Sequence, residues 1–116
     1  MTLDGGDLDI DGAAILNTKT WDTAGPTDNV DVTDINILKI DTSSNNVTIG
    51  GFAGGVAGQI LFVAHTSYSN TFKLEHNEGG GSQNIYLSSA ADESKATAIG
   101  GWILYCTGSS WFELAN

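Results

Sequence analysis

Apolar and polar residues alternate along this chain in short bursts, each ended by glycine or by a cluster of polar turn formers. A period of two puts successive side chains on opposite faces, so each burst predicts a strand with one buried and one wetted side. Ile35-Asn36-Ile37-Leu38-Lys39-Ile40 and Asn46-Val47-Thr48-Ile49, joined by a polar turn over residues 42–45, predict a hairpin. A strand over 59–65 follows the glycine-rich run 50–58. Further strands are predicted at Thr71-Phe72-Lys73-Leu74-Glu75 and Asn84-Ile85-Tyr86-Leu87, on either side of a loop over 77–83 that holds three consecutive glycines. Residues 90–95 read as a helical turn or a polar loop, too short to be a stable helix alone. The last two runs, 102–106 and 111–114, flank Thr107-Gly108-Ser109-Ser110, a four-residue connection of common hairpin length with large aromatics on both arms. Ile60, Phe62, Phe72, Leu74, Ile85, Leu87, Ile103 and Leu114 are the predicted core.

Residues 1–29 differ in character. They are acidic and poor in large apolar side chains, with Leu8 and Ile10 alternating with Asp9 and Asp11, the short run Ala13-Ala14-Ile15-Leu16, and turn formers gathered over 22–29. Such a segment buries too little to order itself. It predicts an extended N-terminal arm over 1–29 that docks on another chain, ahead of a β domain over 30–116.

A chain of 116 residues has the size of one domain with one modest core. Fifteen glycines and a single proline, Pro26, suit many tight turns between short strands. Fourteen carboxylates face four lysines and no arginine, giving a net charge of −10. Nucleic acid and anionic membrane surfaces need clustered basic residues, so both are excluded as partners. Cys106 is the only cysteine, so no intrachain disulfide can form, and its place in Trp102-Ile103-Leu104-Tyr105-Cys106 predicts a buried, inert thiol. No basic stretch leads into an apolar one at the N-terminus, and the longest apolar run, 60–64, falls far short of the roughly 20 residues of a spanning helix. Neither export by a signal peptide nor membrane insertion is expected.

Candidate chemistry is thin. Asp7-Leu8-Asp9-Ile10-Asp11-Gly12 has the alternating carboxylates and glycine that open a calcium loop, but Thr18 stands where the closing glutamate belongs, and Leu8 and Ile10 suit a strand. The run Gly50-Gly51-Phe52-Ala53-Gly54-Gly55-Val56-Ala57-Gly58 lacks the Lys-Ser/Thr pair and the helix start of a phosphate cradle, so it reads as a tight crossover. His65, Glu75, His76 and Glu78 are the one grouping suited to a metal or to acid–base work, and they supply no complete ligand set or triad. Trp21, Trp102, Trp111, Tyr68, Tyr86 and Tyr105 are the residue types of a sugar platform, though core packing and subunit contacts use the same types. No catalytic, cofactor-binding or metal residues are assigned, and an enzyme is not expected.

Ile37-Leu38-Lys39-Ile40-Asp41-Thr42, Asn46-Val47-Thr48-Ile49-Gly50-Gly51, Gly54-Gly55-Val56-Ala57-Gly58-Gln59-Ile60-Leu61, Leu74-Glu75-His76-Asn77, Asn84-Ile85-Tyr86-Leu87, and Gly100-Gly101-Trp102 through Trp111-Phe112-Glu113-Leu114 form a succession. That succession resembles the β-domains of structural proteins from tailed bacterial viruses, over roughly residues 31–115. The opening Gly6-Asp7-Leu8-Asp9-Ile10-Asp11-Gly12 also resembles the short repeated turns of fibre stems. The resemblance implies a virion protein, commonly a homotrimer, with mechanical and adhesive work. The expectation drawn from it is a capsid decoration or cement protein bound at junctions of the major capsid protein. The alternative is a head- or tail-fibre module that binds host-surface glycans. The expected fold is all-β, a small antiparallel β-sandwich or jelly-roll-like domain with an extended N-terminal arm.

Overall fold

The computed structural model describes residues 5–67 and 69–116 of the chain. These residues hold twelve strands and no helix: β1 (Thr18–Trp21), β2 (Gly25–Thr27), β3 (Val30–Asp31), β4 (Ile37–Ile40), β5 (Val47–Ile49), β6 (Gly51–Ala53), β7 (Ile60–His65), β8 (Phe72–Leu74), β9 (Gln83–Tyr86), β10 (Glu93–Lys95), β11 (Gly100–Cys106) and β12 (Ser110–Ala115). The chain is all-β, but neither an antiparallel sandwich nor a jelly roll. Its first three turns coil as a solenoid. β1, β4 and β7 stack in parallel on one side, β2, β5 and β8 on a second, and β3 and β6 on a third.

The stacking sets residues in inward columns, one from each coil. Gly25, Val47 and Phe72 stand in register, as do Thr27, Ile49 and Leu74. Lys19, Leu38 and Val63 form another column, beside Trp21, Ile40 and His65. Each column begins with a small, polar or amphipathic residue in the first coil and becomes apolar in the second. That is why residues 18–27 look too polar for a domain when read alone. The part of the predicted arm from Thr18 onward is therefore the first coil; residues 5–17 form no strand and lie exposed.

The far end is built differently. β9 runs antiparallel to β6, β10 antiparallel to β8, and β11 returns antiparallel along β7 before turning into β12, which pairs in parallel with β9. One eight-stranded sheet, β1-β4-β7-β11-β12-β9-β6-β3, thus wraps continuously, and the sheet β10-β8-β5-β2 covers the remaining side.

Several expectations are corrected by this topology. β4 and β5 do not form a hairpin with each other: each pairs in parallel with the coils before and after it. The 90–95 segment contributes strand β10, paired with β8, instead of a helical turn. The β11–β12 hairpin is as predicted, with Cys106 opposite Trp111. Of the predicted core, Phe72, Leu74, Ile85 and Leu87 are buried, but Ile60, Phe62, Ile103 and Leu114 point outward, and their neighbours Leu61, Val63, Trp102 and Leu104 fill the interior. The sequence of β7 is apolar in both phases, so alternation does not fix which face turns in. Pairing does: Val63 lies opposite Leu38, and Leu61 opposite Leu104, all buried.

Candidate functional site

The histidine and glutamate grouping is divided by the fold. His65 ends β7 and is buried between coils, with Nε2 2.8 Å from the Thr42 hydroxyl and its ring 5.8 Å from that of Phe72. Thr42 Oγ1 also lies 3.0 Å from the Asn70 carbonyl and 3.3 Å from that of Ser67, and Asn70 Nδ2 donates back to the Thr42 carbonyl. This knot ties the turn after β4 to the turn after β7. Burial pushes the His65 pKa down, with a smaller opposing pull from the Ala98 carbonyl. A neutral, enclosed imidazole follows, with no opening to a substrate.

His76 belongs to another network. Its backbone N–H donates to Asp92 Oδ1 at 2.9 Å, and its Nδ1 accepts the Leu87 N–H at 3.0 Å. The second bond fixes Nδ1 as an acceptor and uses the ring to pin the chain after β9. The Asp92 carboxyl is held below its ordinary range chiefly by that His76 N–H, helped by Lys73. Carboxylate oxygens of Glu75, Glu78 and Asp92 lie within 4.8 Å of one another. Lys73 Nζ already stands 3.3 Å from Glu75 and 3.3 Å from Asp92, and this pairing raises its own pKa. The cluster is thus partly neutralised by Lys73 of β8. Asp7, Asp9 and Asp11 are exposed outside any strand and do not join it.

The glycine-rich run is closely packed against the core and its neighbours. A Cβ on Gly55 would sit 2.4 Å from Trp111 Cζ2 and 2.7 Å from Gln83 Oε1, and one on Gly51 would meet the backbone of residues 28, 79 and 83 within 3.0 Å. The Gly55 N–H is taken by Gln83 Oε1 at 3.0 Å. The run is not only a crossover: Gly51–Ala53 is strand β6, paired with β3 and β9, and only residues 54–58 connect it to β7.

The aromatic set divides as well. Trp111 is buried, edge-on to Phe52 at 5.5 Å, with its indole N–H donated to Gln83 Oε1. Trp102 is buried edge-on to Phe72, donates to Glu93 Oε1 at 2.7 Å and is covered by Lys95. Neither tryptophan offers a ring to a sugar, because both were recruited to close the core. Tyr68 lies outside the described residues. Tyr86 and Tyr105 remain at the surface and share the outer side of the wrapped sheet with Phe112; Tyr86 stacks on Phe112 at 5.0 Å. What sequence reasoning missed is that Phe62, Ile103 and Leu114, expected in the core, lie on this outer side with them, because alternation left the phase of β7 and β11 unresolved.

The other unusual surface is the first coil. Among the described residues, three of the four free strand edges, those of β1, β2 and β3, lie at this one end, and the fourth is the short β10. Lys19 and Trp21 lie over the end of the core, with Lys19 Nζ 5.6 Å above the Trp21 ring and donating to the Asp31 carbonyl at 2.7 Å. Among the described residues, Trp21 Nε1 is shielded from solvent yet meets no acceptor. Among the described residues no helix is long and apolar enough to cross a membrane. No family model, no curated protein and no solved structure matches this chain.

Proposed function

We propose that this chain is a virion structural protein acting as a fibre module, a β-solenoid segment that continues a stalk at its first coil and closes it with the antiparallel far end. The virion assignment rests on the resemblance described above. The choice of a fibre over a capsid decoration rests on one observation: among the described residues β1, β2 and β3 all lack a neighbouring strand on their outer side at the same end, where the Asp31 carbonyl is taken only by the Lys19 side chain. Unpaired parallel edges are templates for another strand layer, and folded proteins usually cover or blunt them. Stacked repeats contact only their neighbours, so such a module needs no reactive centre.

The test is immunogold labelling of particles purified from a host carrying the gene. Gold along projecting fibres is the expected result. Even labelling of the head surface would favour the decoration role, and absence of the protein from particles by mass spectrometry would end the virion reading.

A further inference from the structure

The outer side of the wrapped sheet carries an apolar face laid out in register. Tyr86, Phe112, Tyr105 and Ile60 form one transverse row, and Ala115, Ile103, Phe62 and Ile37 form the next. Their inward neighbours Ile85, Trp111, Leu104 and Leu61 are buried, so these rows point away from the core. A β-bulge leaves Leu114 as an extra residue beside the second row. Phe62, Tyr105, Phe112 and Leu114 are 39%, 37%, 40% and 61% exposed. A hollow of about 290 Å³ opens next to them, lined by Phe62, Gly101, Trp102, Ile103 and Ala115.

We infer that this face is the contact between copies of the chain. The inference goes beyond the fibre reading, which concerns only the first coil. Two observations choose the occupant. The first is charge. The chain carries −10, yet neither row holds a carboxylate, and the nearest outward charge on β4 is Lys39. This is where two like-charged copies can meet without bringing acids together; a basic partner would be drawn to the acidic surfaces instead. The second is area. The exposed apolar surface of the rows and Leu114 is on the order of 500 Å², at the upper end of what a monomer ordinarily leaves open. A standard contact takes about 800 Å² from each partner, roughly three-fifths of it apolar, which is about the same amount. The protruding Phe62 and Leu114, side by side with the hollow, supply knob and recess on one surface.

The test is sedimentation of the full chain from about 1 to 300 µM at low and high salt, with the variants Phe62→Asp and Leu114→Asp. Wild type is expected to associate, and more tightly at high salt, because screening relieves repulsion between acidic copies. Each variant is expected to weaken association at least tenfold while keeping the wild-type circular dichroism spectrum. If Phe62→Asp fails to fold, Leu114→Asp, at a more exposed position, carries the test alone. A monomer throughout the range overturns the inference. So does an oligomer untouched by the folded variants, or one that salt dissociates. Particles that still carry the protein after such a result would leave the fibre reading standing and remove only this face.

Discussion

Gly55→Ala tests whether the glycine-rich crossover exists for packing. The added methyl would lie 2.4 Å from Trp111 Cζ2, 2.9 Å from Cε2 and 2.7 Å from Gln83 Oε1. Trp111 has no free direction to move, being edge-on to Phe52 and bonded through its indole to Gln83. Overpacking of this kind costs about 1–3 kcal/mol, and separating the buried indole N–H from its acceptor costs about 1–3 kcal/mol more. The total, about 2–6 kcal/mol, is a large part of the roughly 5–15 kcal/mol that holds a typical domain together. Gly58→Ala is the control. Its φ is +88° and nothing lies near its Cβ position, so only left-handed strain of about 1–2 kcal/mol is expected. Urea unfolding should separate the two, and the Trp111 indole N–H resonance should shift or vanish in Gly55→Ala alone. A Gly55→Ala protein as stable as the Gly58→Ala control, with an unmoved indole signal, would refute the packing argument.

Leu104→Ala should cost about 2–5 kcal/mol and Ile103→Ala about 1 kcal/mol, read by urea unfolding at low protein concentration; equal costs would mean that the assigned phase of β11 is wrong. Because burial depresses the His65 pKa below its ordinary 6.5, the folded state favours the neutral ring, so its contribution is present above about pH 6.5 and is lost as pH falls toward the lower folded value. Thermal unfolding between pH 5 and 8 should therefore show a Tm decline on the acid side that His65→Gln flattens, and an unchanged slope would count against it. Trp102→Phe keeps the core aromatic but removes the 2.7 Å donor to Glu93, at an expected cost of about 1–3 kcal/mol by denaturant titration. Cys106 should resist a thiol reagent in the folded protein and react fully in denaturant, whereas rapid labelling under native conditions would contradict its burial.

Much of the β character was legible locally. Phe72-Lys73-Leu74 alternates cleanly, with Phe72 and Leu74 buried as predicted, and the four-residue connection between β11 and β12 announces its hairpin. The candidate chemistry was read in the same local way, and the fold separated it: His65 went to the Thr42 knot, while His76 went to Asp92 and Leu87. Nothing in their spacing reveals this, since the partners are supplied by other coils.

By itself, the sequence determined that this chain is made of short strands, carries strong negative charge and places its lone thiol in an apolar run, because composition and period-two patterning are properties of neighbouring residues. Only the tertiary structure decided which strands pair, that the first coil reaches back to Thr18, and which face of β7 and β11 looks outward. Parallel stacking joins residues some twenty positions apart through backbone bonds indifferent to side-chain identity. An apolar strand such as Ile60–His65 therefore takes its direction from Leu38 and Ile40 in the coil before it, not from its own alternation.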